Sequence, residues 1–512
     1  MSVPTSSRPA GTFFDALGIQ GPQRNLALMV MAASAALAAF TIYNPLYGAA
    51  AAACLVVALT LLLSPHLAVC AMLLMLTGWP YYAGIPVGRD LPFPFVVPLI
   101  GAIWVMVLVR QALGLAPDRR ANAPGRVLHI AVLLFGLALV ISILLSKSPA
   151  EGFKSFSRVG FLPLLIYMIG RHFIRDAQDA RRAFDILLIG GAIAGTFAMY
   201  EWTIGRNPLL EHFAPPVGDL ADFGYWTAQA VEDIGLYRSY GFAMNPIFFG
   251  ATSAVLLAHA CTRFATAGTP ATKALMVLLG ALVFGGLIST FSRGPLLVAA
   301  GALLLVAIAY PVLRKYVLAG LAVMALYAAY SYFGDTSALA ERLRDTDNVT
   351  LRFKLWQTAW AMFTDHPLFG VGLGQFQDYQ LDVIRRHAIG PFFEMGDGRL
   401  ETVKTAEHGV LQLMAETGII GALAGAFLVG AVLLRVVPAI FGKGPEPARS
   451  SLVAAGVGFL VVIGVGFTVT IYNSWEVGSM VPILLAILVG VPPLAADTKM
   501  PQAPPRQAGR DP

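Results

Sequence analysis

The stretch that decides the fold is Glu407–Val437, EHGVLQLMAETGIIGALAGAFLVGAVLLRVV. Its second part, 418–437, is apolar apart from one arginine, and about 20 apolar residues cross a bilayer as a helix. In its first part, His408, Gln412 and Glu416 fall at i, i+4 and i+8, on one face of a helix. The pattern predicts a membrane-spanning helix, preceded by an interfacial segment whose polar stripe turns toward a cavity.

The composition extends this prediction to the whole chain. Of its 512 residues, 57% are hydrophobic and 12% are charged, whereas soluble domains carry about 25% charged residues. The chain is therefore predicted to be an all-α, polytopic integral membrane protein. Scanning for apolar runs gives about fourteen candidate spans, with a range of about 12 to 14, near 25–43, 47–64, 66–86, 92–110, 128–146, 158–174, 183–203, 244–262, 273–290, 294–312, 316–333, 418–437, 451–473 and 477–495.

These spans predict a single transmembrane domain over 25–495. The residues before it, 1–24, form a cytoplasmic tail, and 496–512, rich in Pro, Gln and Arg, form a disordered cytoplasmic tail. Two longer polar segments, 204–240 and 334–407, interrupt the apolar runs. The second contains 19 of the 64 charged side chains (35 Lys+Arg plus 29 Asp+Glu), so any chemistry is expected there.

The distribution of basic residues predicts the topology. With the N-terminus inside, about 20 of the 35 Lys and Arg residues lie in cytoplasmic segments and about 7 in short outer loops, as the positive-inside rule requires. Both long polar segments then face outward, and so does the tight turn at 292–294. The first span resembles a signal peptide, but its removal would invert every later loop. Because the net charge of +6 is spread between spans, nucleic acid is not an expected partner.

The three cysteines lie in a sequence context that indicates neither disulfide bonds nor metal binding. Cys54, Cys70 and Cys261 all lie within or at the end of apolar runs, without a CxxC motif or a neighbouring histidine. Neither a disulfide framework nor a zinc site is therefore expected. We interpret these cysteines as packing residues.

Four basic residues lie at or near the predicted outer surface: Arg238, Arg293, Arg352 and His408. Ionisable groups beside hydrocarbon need a partner, and the guanidinium fork matches pairs of phosphate oxygens. The alternative for each arginine is snorkelling to the interface or pairing with a loop carboxylate. That alternative is weakest for Arg293, because a topology signal in a short outer turn would point the wrong way. His408 is suited to accept a proton near neutral pH, although a lone interfacial histidine can also be structural.

Three further motifs have less specific readings. The run from His366 to Phe376 contains G-x-G-x-G but follows no strand, so a glycine-rich turn is predicted and not a phosphate cradle. The amphipathic text at 351–363 predicts a helix. Asp345-Thr-Asp347 could hold a divalent metal, but an outer-face site has no nucleotide diphosphate to clamp, and no metal is predicted. The chain has no GxxxxGK[ST] motif, so ATP-driven work is not expected.

Taken together and in order, these segments resemble the O-antigen ligase and O-antigen polymerase superfamily of bacterial surface-polysaccharide enzymes. The resemblance covers about 235–435, and no single motif in it is specific. It rests on Arg238…Gly241…Asn245-Pro246, Ser289-Thr-Phe-Ser-Arg293-Gly, Arg352…Trp356, His366-Pro-Leu-Phe-Gly-Val-Gly-Leu-Gly-Gln-Phe376 and Glu407-His408-Gly-Val-Leu-Gln412-Leu-Met-Ala-Glu416-Thr-Gly418.

The resemblance implies a metal-independent, inverting, C-type membrane glycosyltransferase without a cofactor. Such enzymes sit in the bacterial inner membrane and act on its periplasmic face, during assembly of O-antigen, capsule or exopolysaccharide. They transfer a glycan from undecaprenyl diphosphate to the sugar hydroxyl of a glycan or lipid-linked acceptor. Membrane lipid and other polysaccharide-assembly proteins are the further partners implied.

Site roles are also implied by the resemblance. Arg293 and Arg352, with Arg238, would hold the diphosphate and stabilise its charge as it leaves, and His408 would be the general base. Substrate-binding roles are expected for Asn245, Gln412 and Glu416. One departure is visible: family members often have His-Asn where this chain has His408-Gly409, which puts in doubt any acceptor-orienting role of that asparagine.

Three functional alternatives stay open from the sequence. Ligase and polymerase share these motifs and are not distinguished. A transporter or flippase for lipid-linked sugars or small solutes would place charges along a path through the bilayer, whereas here they gather on one face. Enzymes of the protein-mannosylating or oligosaccharyl type use acids in the first outer loop, and the corresponding loop here, 42–45, has none.

Overall fold

The computed structural model describes residues 65–85, 93–113, 125–213, 237–334, 347–389, 403, 405–470 and 474–494. The two candidate spans 25–43 and 47–64, both terminal tails and most of 204–240 lie outside the described residues. Within them the chain is helical, apart from a two-residue antiparallel pair, β1 (Gly84–Ile85) with β2 (Phe93–Pro94). The predicted all-α class is therefore confirmed for the described part.

Twelve described helices coincide with the twelve remaining candidate spans. They are α1 (Pro65–Gly78), α2 (Val96–Ala112), α3 (Arg126–Leu144), α5 (Leu162–Phe173), α6 (Ala177–Ile204), α8 (Pro246–Thr266), α9 (Pro270–Ser289), α10 (Arg293–Ala309), α11 (Arg314–Gly334), α14 (Gly409–Phe441), α15 (Ala448–Gly466) and α16 (Trp475–Gly490). Of the described helices, six are long and apolar enough to cross a membrane: α3, α6, α8, α9, α14 and α15. A count of fourteen spans stays a prediction.

Four helices outside the candidate spans complete the order. They are α4 (Pro149–Phe156), followed by a π-helical turn at Ser157–Phe161, then α7 (Pro208–Phe213), α12 (Asp347–Asp365) and α13 (Phe376–Arg386). The amphipathic text at 351–363 is thus confirmed as a helix, α12. The segment 334–407, expected to be a long loop, carries a second helix, α13, whose buried Phe376, Tyr379 and Val383 pack against α12.

The centre of the bundle is α8, which contacts α6, α9, α10, α15 and α16. In α8 and α15, 72% of the apolar window is buried inside the protein, against 28% to 33% in α3, α9 and α14. Those three outer helices expose large apolar side chains such as Leu137, Leu278 and Leu434. Because lipid is the only medium that favours such a surface, they are the helices expected to face it.

Small residues allow the helices near one end of the bundle to approach closely. A Cβ built on Gly286 of α9 would lie 2.6 Å from the Cα of Gly195 in α6. Such contacts between glycines are typical of helix packing in membranes. They bring the C-terminal ends of α6 and α9 together, where the polar segments described below begin.

The helix α14 is interrupted at Gly418, where φ is 63° and ψ is −161°. The glycine-rich turn 366–376 causes this break: the Ile419 N–H donates to Pro367 O at 2.8 Å, and the Gly372 N–H donates to Glu416 O at 3.0 Å. Gly370, Gly372 and Gly374 all have positive φ, which confirms the predicted turn. The residues 409–417 are therefore a separate helical segment ahead of the span, as expected.

Candidate active site

The site is built at the end of the bundle where α6 and α9 finish and α8, α10 and α14 begin. Arg238 precedes α8 and reaches the turn between α9 and α10: its Nε donates to Thr290 O at 3.1 Å and its Nη2 donates to Ser292 Oγ at 2.9 Å. The Ser239 N–H adds a bond to Ser289 O at 3.0 Å. Two segments about fifty residues apart in sequence are thus joined beside Arg293.

Arg293 is the first residue of α10 and is exposed. Its turn is tightly held, since Phe291 has a φ of 47° and Ser292 is 3% exposed. A Cβ on Gly294 would lie 2.7 Å from Thr468 Oγ1, so the turn packs directly on the segment that follows α15. The helix predicted over 451–473 ends at Gly466, and residues 467–470 lie at the site end of the bundle.

His408 lies at the same segment. Its ring stands edge-on to Phe467, with centroids 5.4 Å apart, and to Trp356 of α12 at 5.2 Å. Gly409 contacts the backbone of Gly466. The residues 467–470 therefore connect the Arg293 turn on one side with His408 on the other, a role that the sequence did not predict.

The imidazole of His408 is the N-cap of α14. Its Nδ1 accepts a hydrogen bond from the Leu411 N–H at 3.2 Å, and in a neutral ring that bond places the hydrogen on Nε2. Partial burial lowers the pKa of His408 below its ordinary value, because a desolvated site disfavours the charged ring. The imidazole is therefore neutral at pH 7.

Arg352 reaches the same region from α12. It lies one helical turn before Trp356, whose Nε1–H donates a long hydrogen bond to Glu407 O at 3.5 Å. Burial raises the pKa of Glu407, and the charge of Arg352 opposes that rise. Glu407 itself has a φ of 51°, an uncommon conformation that is enriched at functional sites. Sequence reasoning quoted Glu407 only as part of a motif.

Gln412 and Glu416 are buried inside the protein, each 1% exposed, and the polar stripe does not line an open cavity. Gln412 Oε1 accepts from Ala406 N–H at 2.9 Å and Thr470 Oγ1 at 2.8 Å, and its Nε2 donates to Glu416 Oε1 at 3.0 Å. These bonds hold 406–408 against the end of α15. The expectation of a cavity-facing stripe is wrong for these two residues, because distant segments supply partners that helix periodicity cannot reveal.

Asn245 is the N-cap of α8, where its Oδ1 accepts from the Ile247 N–H at 2.8 Å. The carboxylate of Glu201, 0% exposed at the end of α6, holds the segment that carries Arg238. Glu201 was missed from sequence, although an acidic residue in the last turn of a predicted span is a recognisable signal.

The metal-binding alternative, Asp345-Thr-Asp347, concerns the start of α12. Asp345 lies outside the described residues, and Asp347 begins α12. Within the described part of the chain, no three His, Cys, Asp or Glu side chains come close enough to hold a metal ion.

The opposite end of the bundle has its own polar contacts. Asp185 of α6 bonds His259 at 2.9 Å and Arg263 at 3.0 Å, and Tyr310 donates to Glu446 at 3.1 Å. Basic residues predicted to be cytoplasmic, including Arg263, lie at this end. The seven predicted site residues lie together at the other end.

Comparison with known protein families identifies part of the chain. Residues 276–426 match the family model described as O-antigen ligase, a segment that runs from α9 into α14 and includes Arg293, Arg352 and His408. Arg238 and Asn245 precede it. No curated protein matches the chain. The match over residues 276–426 thus supports the O-antigen ligase superfamily, which the motifs of the chain resemble.

Proposed function

We propose that this protein is a membrane glycosyltransferase of the O-antigen ligase or polymerase type. It transfers a glycan from undecaprenyl diphosphate to an acceptor sugar hydroxyl, at the periplasmic face of the bacterial inner membrane. The observation that carries the proposal is the convergence at one end of the bundle. Arg238 bonds the turn before Arg293, that turn packs on Thr468, and the neighbouring Phe467 contacts His408.

The arginines supply the anion-binding part of the proposal. The leaving group is a diphosphate at the membrane surface, and its negative charge grows as the glycosidic bond breaks. Donors fixed in advance stabilise such charge strongly in a site that excludes water. Arg238 is held by Thr290 and Ser292, and Arg293 and Arg352 each extend from the first turns of a helix, so all three belong to supported positions.

His408 supplies the proton-accepting part. The acceptor hydroxyl oxygen attacks the anomeric carbon, its proton passes to His408, and the diphosphate leaves with the electron pair of the broken bond, so that the anomeric configuration inverts. Since Nδ1 caps α14 and Nε2 carries the hydrogen, the ring can take the proton only at Nδ1, after the bond from Leu411 opens. A neutral hydrogen bond of this kind contributes only about 1 kcal/mol.

The loss of the cap is small compared with the expected gain. General-base catalysis contributes roughly 10²- to 10⁴-fold, which corresponds to about 3 to 5 kcal/mol of barrier. The capping bond therefore does not exclude His408 as the base. The side chains of Gln412 and Glu416 and the Oδ1 of Asn245 already bond to protein groups. We propose that these three residues contribute chiefly by holding 245 and 406–408 in place.

A reconstitution experiment tests the proposal against a transporter. Purified protein in detergent is given the undecaprenyl-diphosphate-linked glycan and an acceptor, with EDTA present and ATP absent. Release of undecaprenyl diphosphate together with a lengthened acceptor is expected. Failure to release it, together with movement of the intact lipid-linked glycan across liposomes, would instead identify a flippase.

Ligase and polymerase are distinguished in cells. In a deletion strain, surface glycan that shortens to a single repeat indicates a polymerase. Long glycan chains that accumulate unattached on the carrier lipid indicate a ligase. Both results are read on the same gel of surface and carrier-linked glycan.

A further inference from the structure

The segment between Tyr237 and Asn245 is held by two buried carboxylates that belong to different helices. Glu201, at the end of α6, is 0% exposed, and Glu476, in the first turn of α16, is 4% exposed. Burying a carboxylate away from water is costly unless hydrogen-bond donors surround it. Glu201 finds several such donors in this segment, and Glu476 finds one.

Three donors around Glu201 belong to the residues on either side of Arg238, and the Asn207 side chain adds a further hydrogen bond. Tyr237 Oη donates to Oε1 at 2.5 Å, the Tyr240 N–H donates to Oε1 at 2.9 Å and the Gly241 N–H donates to Oε2 at 2.8 Å. Gly241 has a φ of 57°, a conformation that glycine adopts without strain and that turns its N–H toward the carboxylate. The backbone around Arg238 is therefore shaped around one side chain.

The guanidinium of Arg238 is aligned at its other end by the α9–α10 turn. The bonds to Thr290 O and Ser292 Oγ orient it only if its Cα stays where Glu201 places it. Ser239 adds two bonds, from its N–H to Ser289 O at 3.0 Å and from its Oγ to Ala198 O at 2.8 Å. The chain of contacts runs from Glu201 through Arg238 to the residue before Arg293.

We infer that Glu201 is a positioning residue for the diphosphate site, acting through Arg238, and this inference rests on the proposed function. Glu201 does not touch the substrate. Its carboxylate sets the backbone at 237–241, so that the guanidinium of Arg238 is aligned with the Arg293 turn before the diphosphate arrives. Glu476 binds the same segment at the Met244 N–H, at 2.6 Å, beyond Gly241 and away from Arg238.

A double-mutant cycle separates positioning from general support. The variants are Glu201→Gln, Arg238→Ala and the double variant, and the readout is kcat/KM for the lipid-diphosphate donor. In Glu201→Gln the carboxamide presents an N–H₂ group to backbone N–H donors, so the segment shifts. Displacements of about 1 Å can cost on the order of 100-fold in rate, and a loss of about 10- to 100-fold is expected in the wild-type background.

The expected result is that Glu201→Gln causes less than about twofold further loss when Arg238 is already alanine, since residues that act through one contact are not additive. The matched control is Glu476→Gln, which also removes a buried charge from this segment. Whatever its size, the effect of Glu476→Gln on kcat/KM should be the same factor whether residue 238 is arginine or alanine. An equal loss from Glu201→Gln in both backgrounds, or no loss at all, would overturn the inference.

Two further measurements test the role of Glu201 if Glu201→Gln does not fold or if no transfer is detected. If Glu201→Gln does not fold, Tyr237→Phe removes one donor and leaves the carboxylate in place, and the same coupling to Arg238 is expected with a smaller effect. The same double-mutant cycle can be measured without turnover, from the shift in melting temperature that undecaprenyl diphosphate causes in each variant. A wild-type protein that binds this diphosphate but transfers nothing refutes the proposed function, and the cycle in binding still decides the role of Glu201.

Discussion

Replacing His408 by asparagine separates the two tasks of this side chain. The Oδ1 of asparagine occupies nearly the position of the histidine Nδ1, and asparagine is among the best N-cap residues. His408→Asn is therefore expected to keep the bond from Leu411 and to remove the proton acceptor. His408→Ala removes both.

The two variants should differ in stability but not in activity. Loss of a cap costs about 1 kcal/mol, within a range of roughly 0.5 to 2 kcal/mol. The measured contact of 3.2 Å between Leu411 N and Nδ1 is at the long end for a hydrogen bond, which favours the lower half of that range. His408→Ala should thus melt earlier than wild type, whereas His408→Asn should melt close to it. Both should lose roughly 10²- to 10⁴-fold in kcat.

The assay is release of undecaprenyl diphosphate by purified protein under single-turnover conditions, beside thermal unfolding in the same detergent. Single turnover removes product release from the measured rate. A His408→Asn protein that keeps activity within about tenfold of wild type would show that His408 is a cap and not the base. A variant that is inactive only because it unfolds is recognised by its melting curve.

Three further outcomes are expected. Burial lowers the pKa of His408, so the base is neutral at pH 7. The kcat/KM of the wild-type protein should therefore be constant above pH 7 and fall only below about pH 6.5. A pH–rate profile with its midpoint above pH 7 would contradict this expectation. Arg293→Ala should lower kcat by roughly 10²- to 10³-fold, as loss of a preorganised donor does. Arg293→Lys should restore only part of the lost activity, because the point charge of an ammonium group replaces the forked guanidinium. Full activity of Arg293→Lys in the release assay would argue against paired phosphate contacts. Gly418→Ala should prevent normal folding, because the φ of Gly418 is 63° and a Cβ there would overlap the backbone of Leu368. Gly430→Ala on the same helix should be tolerated, because a Cβ at that position has no atom within 4 Å. Similar melting temperatures for the two variants would refute the role of the kink.

The break at Gly418 explains how a span and a site share one helix. Hydropathy makes 418–437 long enough to cross the bilayer without the preceding residues. The turn 366–376 then takes the backbone bonds that would have continued the helix, since Ile419 N–H is directed to Pro367 O. The segment carrying His408 can therefore take its own direction toward α12 and the end of α15.

Much of the fold follows from local sequence. Apolar runs predict the twelve described helices that coincide with candidate spans, because a backbone in lipid must satisfy its hydrogen bonds within a helix. The amphipathic pattern at 351–363 predicts α12, and the glycines of 366–376 predict a turn. The motifs also suffice to indicate the family and to select the arginines and His408 as candidates.

The partners of those residues were decided only by tertiary structure. Nothing local indicates that Glu201 holds the backbone around Arg238, that Thr468 packs on the Arg293 turn, or that Thr470 binds Gln412. Hydropathy and helix periodicity describe one segment at a time, whereas a buried carboxylate or amide is satisfied by whichever distant segment the packing of the bundle brings to it. The sequence by itself determined the membrane fold class and the candidate residues; their arrangement into one region depends on contacts between helices.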